Sequence, residues 1–198
     1  MRVKTVLTLF LLIAGVPLAA DGPALQRRDS DELKQKIAAI NARGAAPASG
    51  SMRTTVTEQE VNAYLAFEAV PSLPQGVVEP SVSILDGNRV TGRAVVDLDR
   101  VRQERNPVNL LDPVRYLRGR LMVKATGFVR ASNGVARFEL ESADVAGVPI
   151  PKFVLQQIVG YYSRSQERPA GISLDDPFTM PAGIKTLEID TGRAVIVQ

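Results

Sequence analysis

The residues of this chain able to do chemistry are few, because its 198 positions include no Cys, no His and no Trp. Thiolate and imidazole metal sites, Ser-His-Asp and Cys-His catalysis, and disulfides are therefore closed to the single chain. A catalytic reading must use Ser-Lys pairs, paired carboxylates, Tyr or Lys. Neither a Ser-x-x-Lys nor a Gly-x-Ser-x-Gly is present, and no G-x-x-x-x-G-K-[ST] phosphate loop occurs. The carboxylate pairs are Asp97 with Asp99, Glu139 with Glu141, and Asp175 with Asp176. The first two pairs have strand spacing and fall on one face of a strand, where acids supply a solvated surface. A glycosidase pair or an oxygen-ligand cation site remains a distant alternative. No catalytic residue, metal ligand or cofactor site is assigned.

The more informative charges are basic. Arg100, Arg102, Arg105, Arg115, Arg118, Arg120, Lys124 and Arg130 oppose only Glu104 and Asp112, so 100–130 carries +6. Leu110, Leu111, Val114, Tyr116 and Leu117 lie inside that segment. A basic and apolar mixture suits an anionic membrane surface, with Arg115, Arg118 and Arg120 as docking residues. The alternative is an Arg-rich solvated edge whose loop turns its leucines inward. Nucleic acid fits poorly, since few aromatics are available for stacking.

The elements that must position these residues follow from periodicity. Arg2 and Lys4, the apolar run Val6 to Val16, and Ala19-Ala20 form a three-part secretory signal over 1–20. The run is shorter than a membrane span, which favours cleavage over an anchor. Cleavage would reduce the formal charge from +3 to +1 and place the protein in the periplasm or cell envelope. Residues 21–56 read as a helix over Asp29 to Arg43, with Leu33, Ile37 and Ile40 on one stripe, followed by a flexible linker rich in Gly, Ala and Ser. That helix either packs weakly or receives a protein partner. The domain proper is 57–198.

Thr57-Glu58-Gln59-Glu60 has capping-box form and opens an amphipathic helix over 57–68, ended by Pro71 and Pro74. From Gly76 the period becomes two. Three hairpins follow, turning at Asp86-Gly87, Asn133-Gly134 and Thr191-Gly192. Residues 106–120 read as a loop with a short helix. A second helix, from Pro149-Ile150-Pro151 to about Ser163, carries Phe153, Val154, Leu155, Ile158, Val159, Tyr161 and Tyr162. Apolar nearly all round, it requires cover by sheet or ligand. The predicted class is α+β, a long curved antiparallel sheet of about six strands around or against one or two amphipathic helices.

Thr57-Glu58-x-Glu60-Val61-Asn62-Ala63-Tyr64-Leu65, Gly127-x-x-x-Ala131, Asn133-Gly134, Ala146-Gly147-Val148-Pro149-Ile150-Pro151 and Met180-Pro181-x-Gly183-Ile184-x-x-Leu187 are punctuation rather than chemistry. Together they resemble the LmeA-like phospholipid-binding family and its relatives in the tubular lipid-binding superfamily, over roughly 55–198. The resemblance implies a curved sheet wrapped on a helix, an apolar groove for acyl chains and a non-catalytic role with envelope lipid. It supplies no residue-specific site. The expected lining therefore comes from the apolar elements: Leu65, Leu110, Leu111, Tyr116, Phe153, Val154, Leu155, Ile158, Val159 and Tyr162. A structural or adaptor protein with a filled core is the alternative.

Overall fold

A computed structural model describes residues 24–46, 50–74, 76–105, 118–162, 169–171 and 173–198, without the side chains of 102–105, 158, 161 and 162. The signal segment 1–20 and the loop residues Leu110, Leu111, Arg115 and Tyr116 lie outside the described residues. The elements are α1 (Arg27–Ala45), β1 (Arg53–Thr57), α2 (Glu58–Phe67), a single 3₁₀ turn (Val70–Ser72), β2 (Val77–Ile84), β3 (Arg89–Asp97), α3 (Leu98–Arg105), β4 (Arg120–Ser132), β5 (Val135–Val145), β6 (Val148–Pro149), α4 (Lys152–Tyr162), β7 (Phe178–Thr179), β8 (Thr186–Asp190) and β9 (Arg193–Val197). The protein is α+β, with a six-stranded antiparallel sheet and a smaller second sheet.

The long sheet runs β2-β3-β4-β5, and β6 and β7 pair with opposite ends of the outer edge of β5. Its central hairpin turns at Asn133-Gly134, where both residues have positive φ, 52° and 79°. Asn and Gly tolerate that region, and the resulting turn matches strand twist. Registers of β2 with β3 and β3 with β4 put Val82, Ile84, Val90, Ala94, Val96, Val123 and Ala125 on one face. The opposite face carries Ser83, Thr91, Arg93, Asp97, Arg120 and Lys124. Two register shifts, at Val78/Ser81 and at Thr126/Gly127, add local bends to the strands.

The third hairpin departs from a single-sheet reading. β8 and β9 pair with each other, and β1 pairs with β9 from Arg53↔Val197 to Thr57↔Arg193, giving the separate sheet β1-β9-β8. The flexible linker expected up to residue 56 therefore ends earlier, because Arg53–Thr57 is a strand. The Arg-Thr-Thr-Val-Thr run is strand-forming, but its partner lies at the far end of the chain, beyond any local pattern. The other boundary correction is α3. Leu98 and Asp99 continue the strand alternation in sequence, but Asp97 Oδ1 accepts from the amides of Asp99 and Arg100 and starts a helix.

The best-covered core lies where α1, α2 and the small sheet meet the edge of the long one. Leu33 and Ile40 of α1, Val56 of β1, Ala63 of α2 and Ile84 of β2 are all buried. The stripe of α1 is thus used inside the molecule. Gly44 lets this helix close on the 180–183 turn, since a Cβ there would stand 2.5 Å from the Ala182 backbone.

Candidate functional site

Two helices compete for attention, and their polar contacts separate them. On α2, the capping box is complete: Thr57 Oγ1 accepts from Glu60 N, and Glu60 Oε2 accepts from Thr57 N. Glu60 is 5 % exposed. Its Oε1 also takes Lys36 Nζ of α1 at 2.5 Å, while that ammonium donates to the Thr55 carbonyl at 2.7 Å. Gln59 donates to Asp29 of α1 at 2.8 Å. Glu58 Oε2 accepts the Ile84 amide at 2.7 Å, and Asn62 binds both the N–H and the C=O of Val82, at 2.7 and 2.8 Å. Ile84 O in turn accepts Gly192 N. Every polar side chain of the Thr57-to-Asn62 motif is consumed in capping α2, in fastening it to α1 or in satisfying the exposed edge of β2. The motif is scaffolding, and Leu65 on this helix is half-buried.

Helix α4 is held differently. Ile150 N donates to Ala143 O, which leads the chain off β5, and Pro151 O accepts from Val154 N and Leu155 N. Pro151 stands at the start, where its missing N–H is harmless. Gln156 Oε1 accepts the Leu174 amide at 2.7 Å, and Lys152 pairs with Asp175 at 2.6 Å. These are end and side ties. Phe153 is 67 % exposed, and Val154, Leu155 and Val159 are half-buried. Val148 of the adjoining β6 is 62 % exposed and pairs with Val145, on the apolar side of the sheet. The structure thus brings Phe153, Val154, Leu155 and Val159 together on one element. Ile158 and Tyr162 share that element, their side chains lying outside the described residues. Leu65 belongs to α2 at another part of the fold.

The basic segment loses its isolation in three dimensions. Arg120 pairs with Glu79 at 2.6 Å, Arg130 with Glu139 at 2.8 Å, and Arg100 lies 3.6 Å from Asp97. Glu79 of β2 and Glu139 of β5 supply acids that the linear stretch lacks, so Arg120 and Arg130 are not free charges. Of the three expected docking residues, Arg118 is exposed, Arg120 is paired and Arg115 lies outside the described residues.

The carboxylate pairs also resolve into separate contacts. Asp97 caps α3, while Asp99 Oδ2 accepts Gly119 N. Glu141 is the residue skipped by the bulge, between Thr126↔Ser142 and Gly127↔Leu140, and pairs with Arg89 at 2.7 Å. No group of three or more metal-ligating side chains occurs among the described residues. No described helix is long and apolar enough to cross a membrane. Sequence reasoning missed Val148, whose only signal is an apolar residue at a turn, and the Arg130↔Arg137 cross-strand pair, visible only once register is known. A scan against protein-family models finds no match, and no curated protein matches the chain.

Proposed function

We propose that this is an exported, non-catalytic cell-envelope protein that holds acyl lipid against α4 and the adjoining apolar face of the long sheet. The observation that carries the reading is the mismatch between the chemistry of α4 and its cover. A helix apolar nearly all round keeps Phe153 two-thirds exposed and its neighbours only half-buried. Water is a poor final environment for that surface, and each methylene of a lipid tail laid on it would contribute about 0.8 kcal/mol. The motif resemblance to phospholipid-binding envelope proteins, the secretory form of 1–20 and the absence of His and Cys support the same reading.

The test is a lipid extract of the full-length protein purified from a cell envelope, analysed by mass spectrometry beside the Phe153→Ser variant. Phospholipid should accompany the parent protein and fall in the variant. A well-folded sample with no lipid and no uptake of labelled phospholipid would sink the proposal. It would leave the second reading, an adaptor whose partner protein seats on Phe153 and Val148, a reading favoured by the protrusion of that aromatic ring.

A further inference from the structure

The wet face of the long sheet holds a feature the lipid reading does not use. Arg130 on β4 and Arg137 on β5 are direct cross-strand partners. Side chains so placed start about 5 Å apart, and like charges there repel. Glu139 offsets one of them, accepting from Arg130 Nε at 2.8 Å and leaving the two terminal nitrogens of Arg130 free of that contact. Arg137 is exposed and makes no hydrogen bond or ion pair among the described residues. Arg130, Arg137, Ser132 and Glu139 line a depression of about 210 Å³, with Val135 and Pro177 as its apolar members.

We propose that this depression is a phosphate-ester subsite. A tetrahedral phosphate has enough oxygens to engage both guanidinium forks and the Ser132 hydroxyl together, whereas a carboxylate is satisfied by one fork. A dianion also removes the repulsion that the cross-strand arginines leave in the free protein. The charge balance of two arginines and one glutamate favours an anion, and Val135 with Pro177 offers a surface to the organic part of the ester. The assignment is independent of acyl binding at α4. Its ligand is a phosphate group, carried by a lipid headgroup or by a free phosphate compound.

Inorganic phosphate titrated in the millimolar range into nitrogen-15-labelled full-length protein should shift the amides of 130–137 saturably. Arg137→Gln should weaken that binding about tenfold, the loss of one charge-assisted contact. Arg93→Gln removes another exposed arginine of the same face, one without a hydrogen bond or ion pair among the described residues, and should leave it unchanged. Phosphatidylcholine vesicles carrying phosphatidic acid separate the sources. Vesicle binding reduced by Arg137→Gln assigns a lipid headgroup; vesicle binding indifferent to it, with phosphate shifts retained, assigns a free phosphate compound. The proposal is overturned if Arg93→Gln weakens binding as much as Arg137→Gln. It is overturned equally if phosphate gives no saturable shift and vesicle binding ignores Arg137.

Discussion

Helix α2 has modest apolar content, yet it is fixed from several directions. Glu58, Gln59, Glu60 and Asn62 each reach a different backbone or side-chain partner, and Ala63 is fully buried beneath them. Helix α4 is the more apolar of the two by sequence, yet it is tied by Lys152, Gln156 and its leading turn, with Phe153 facing water. Apolar content alone therefore does not tell how firmly a helix belongs to the fold. Directional contacts at a sheet edge fasten α2, whereas α4 has surface to spare. Helix α2 is architecture, whereas α4 keeps apolar surface in water.

The contrast breaks most visibly at Glu60. Glu60→Ala leaves Lys36 and the Thr57 amide without their carboxylate, and should cost about 2–3 kcal/mol in urea unfolding. Asn62→Ala strips both hydrogen bonds from Val82 on the sheet edge and should cost about 1–2 kcal/mol by the same measurement. Gly44→Ala tests the docking of α1. Helix propensity alone gives a gain of up to about 1 kcal/mol, but the approach of Ala182 should turn the sign to a loss of about 1 kcal/mol. A gain would show that α1 rests loosely on the turn.

At the other end, Phe153→Ser should change stability by less than about 0.5 kcal/mol while reducing lipid retention. A loss as large as that of Glu60→Ala would place α4 in the core and end the contrast. The smallest effect belongs to Asp190, an exposed residue at the end of β8. The Arg193 hydrogen bond, and then that of the Thr191 amide, hold its carboxyl below the usual carboxylate range. Its folded-state pKa being the lower, its stabilisation is present above the ordinary carboxylate pKa and fades as pH falls through the folded value. Asp190→Asn should therefore narrow the stability difference between neutral and acid pH slightly, read as a shift in thermal midpoint.

Local signals were legible where the chain folds on itself nearby. The Thr57 capping box and the Asn133-Gly134 turn need only a few residues to declare themselves, and both stand as their types predict. The strand Arg53–Thr57 was not legible, because its partner Arg193–Val197 is remote in sequence. Asp97 and Asp99 looked like a strand-face pair until the cap made by Asp97 turned the second into a helix residue. The +6 of 100–130 was an accurate sum, but Glu79 and Glu139 enter its surroundings only through sheet pairing.

By itself the sequence determined the α+β class, the Asn133-Gly134 and Thr191-Gly192 turns, the chemical poverty that comes without His and Cys, and the apolar character of α4, while the first turn sits one residue on from Asp86-Gly87, at Gly87-Asn88. Those are properties of residue type and short-range periodicity, set within a few positions. The tertiary structure alone decided that the Glu58-to-Asn62 polar run is a fastening, that the third hairpin makes a second sheet with β1, and that Arg130 meets Arg137. Register and packing determine which charges become neighbours and which apolar faces stay open, and neither quantity is a sum over local residues.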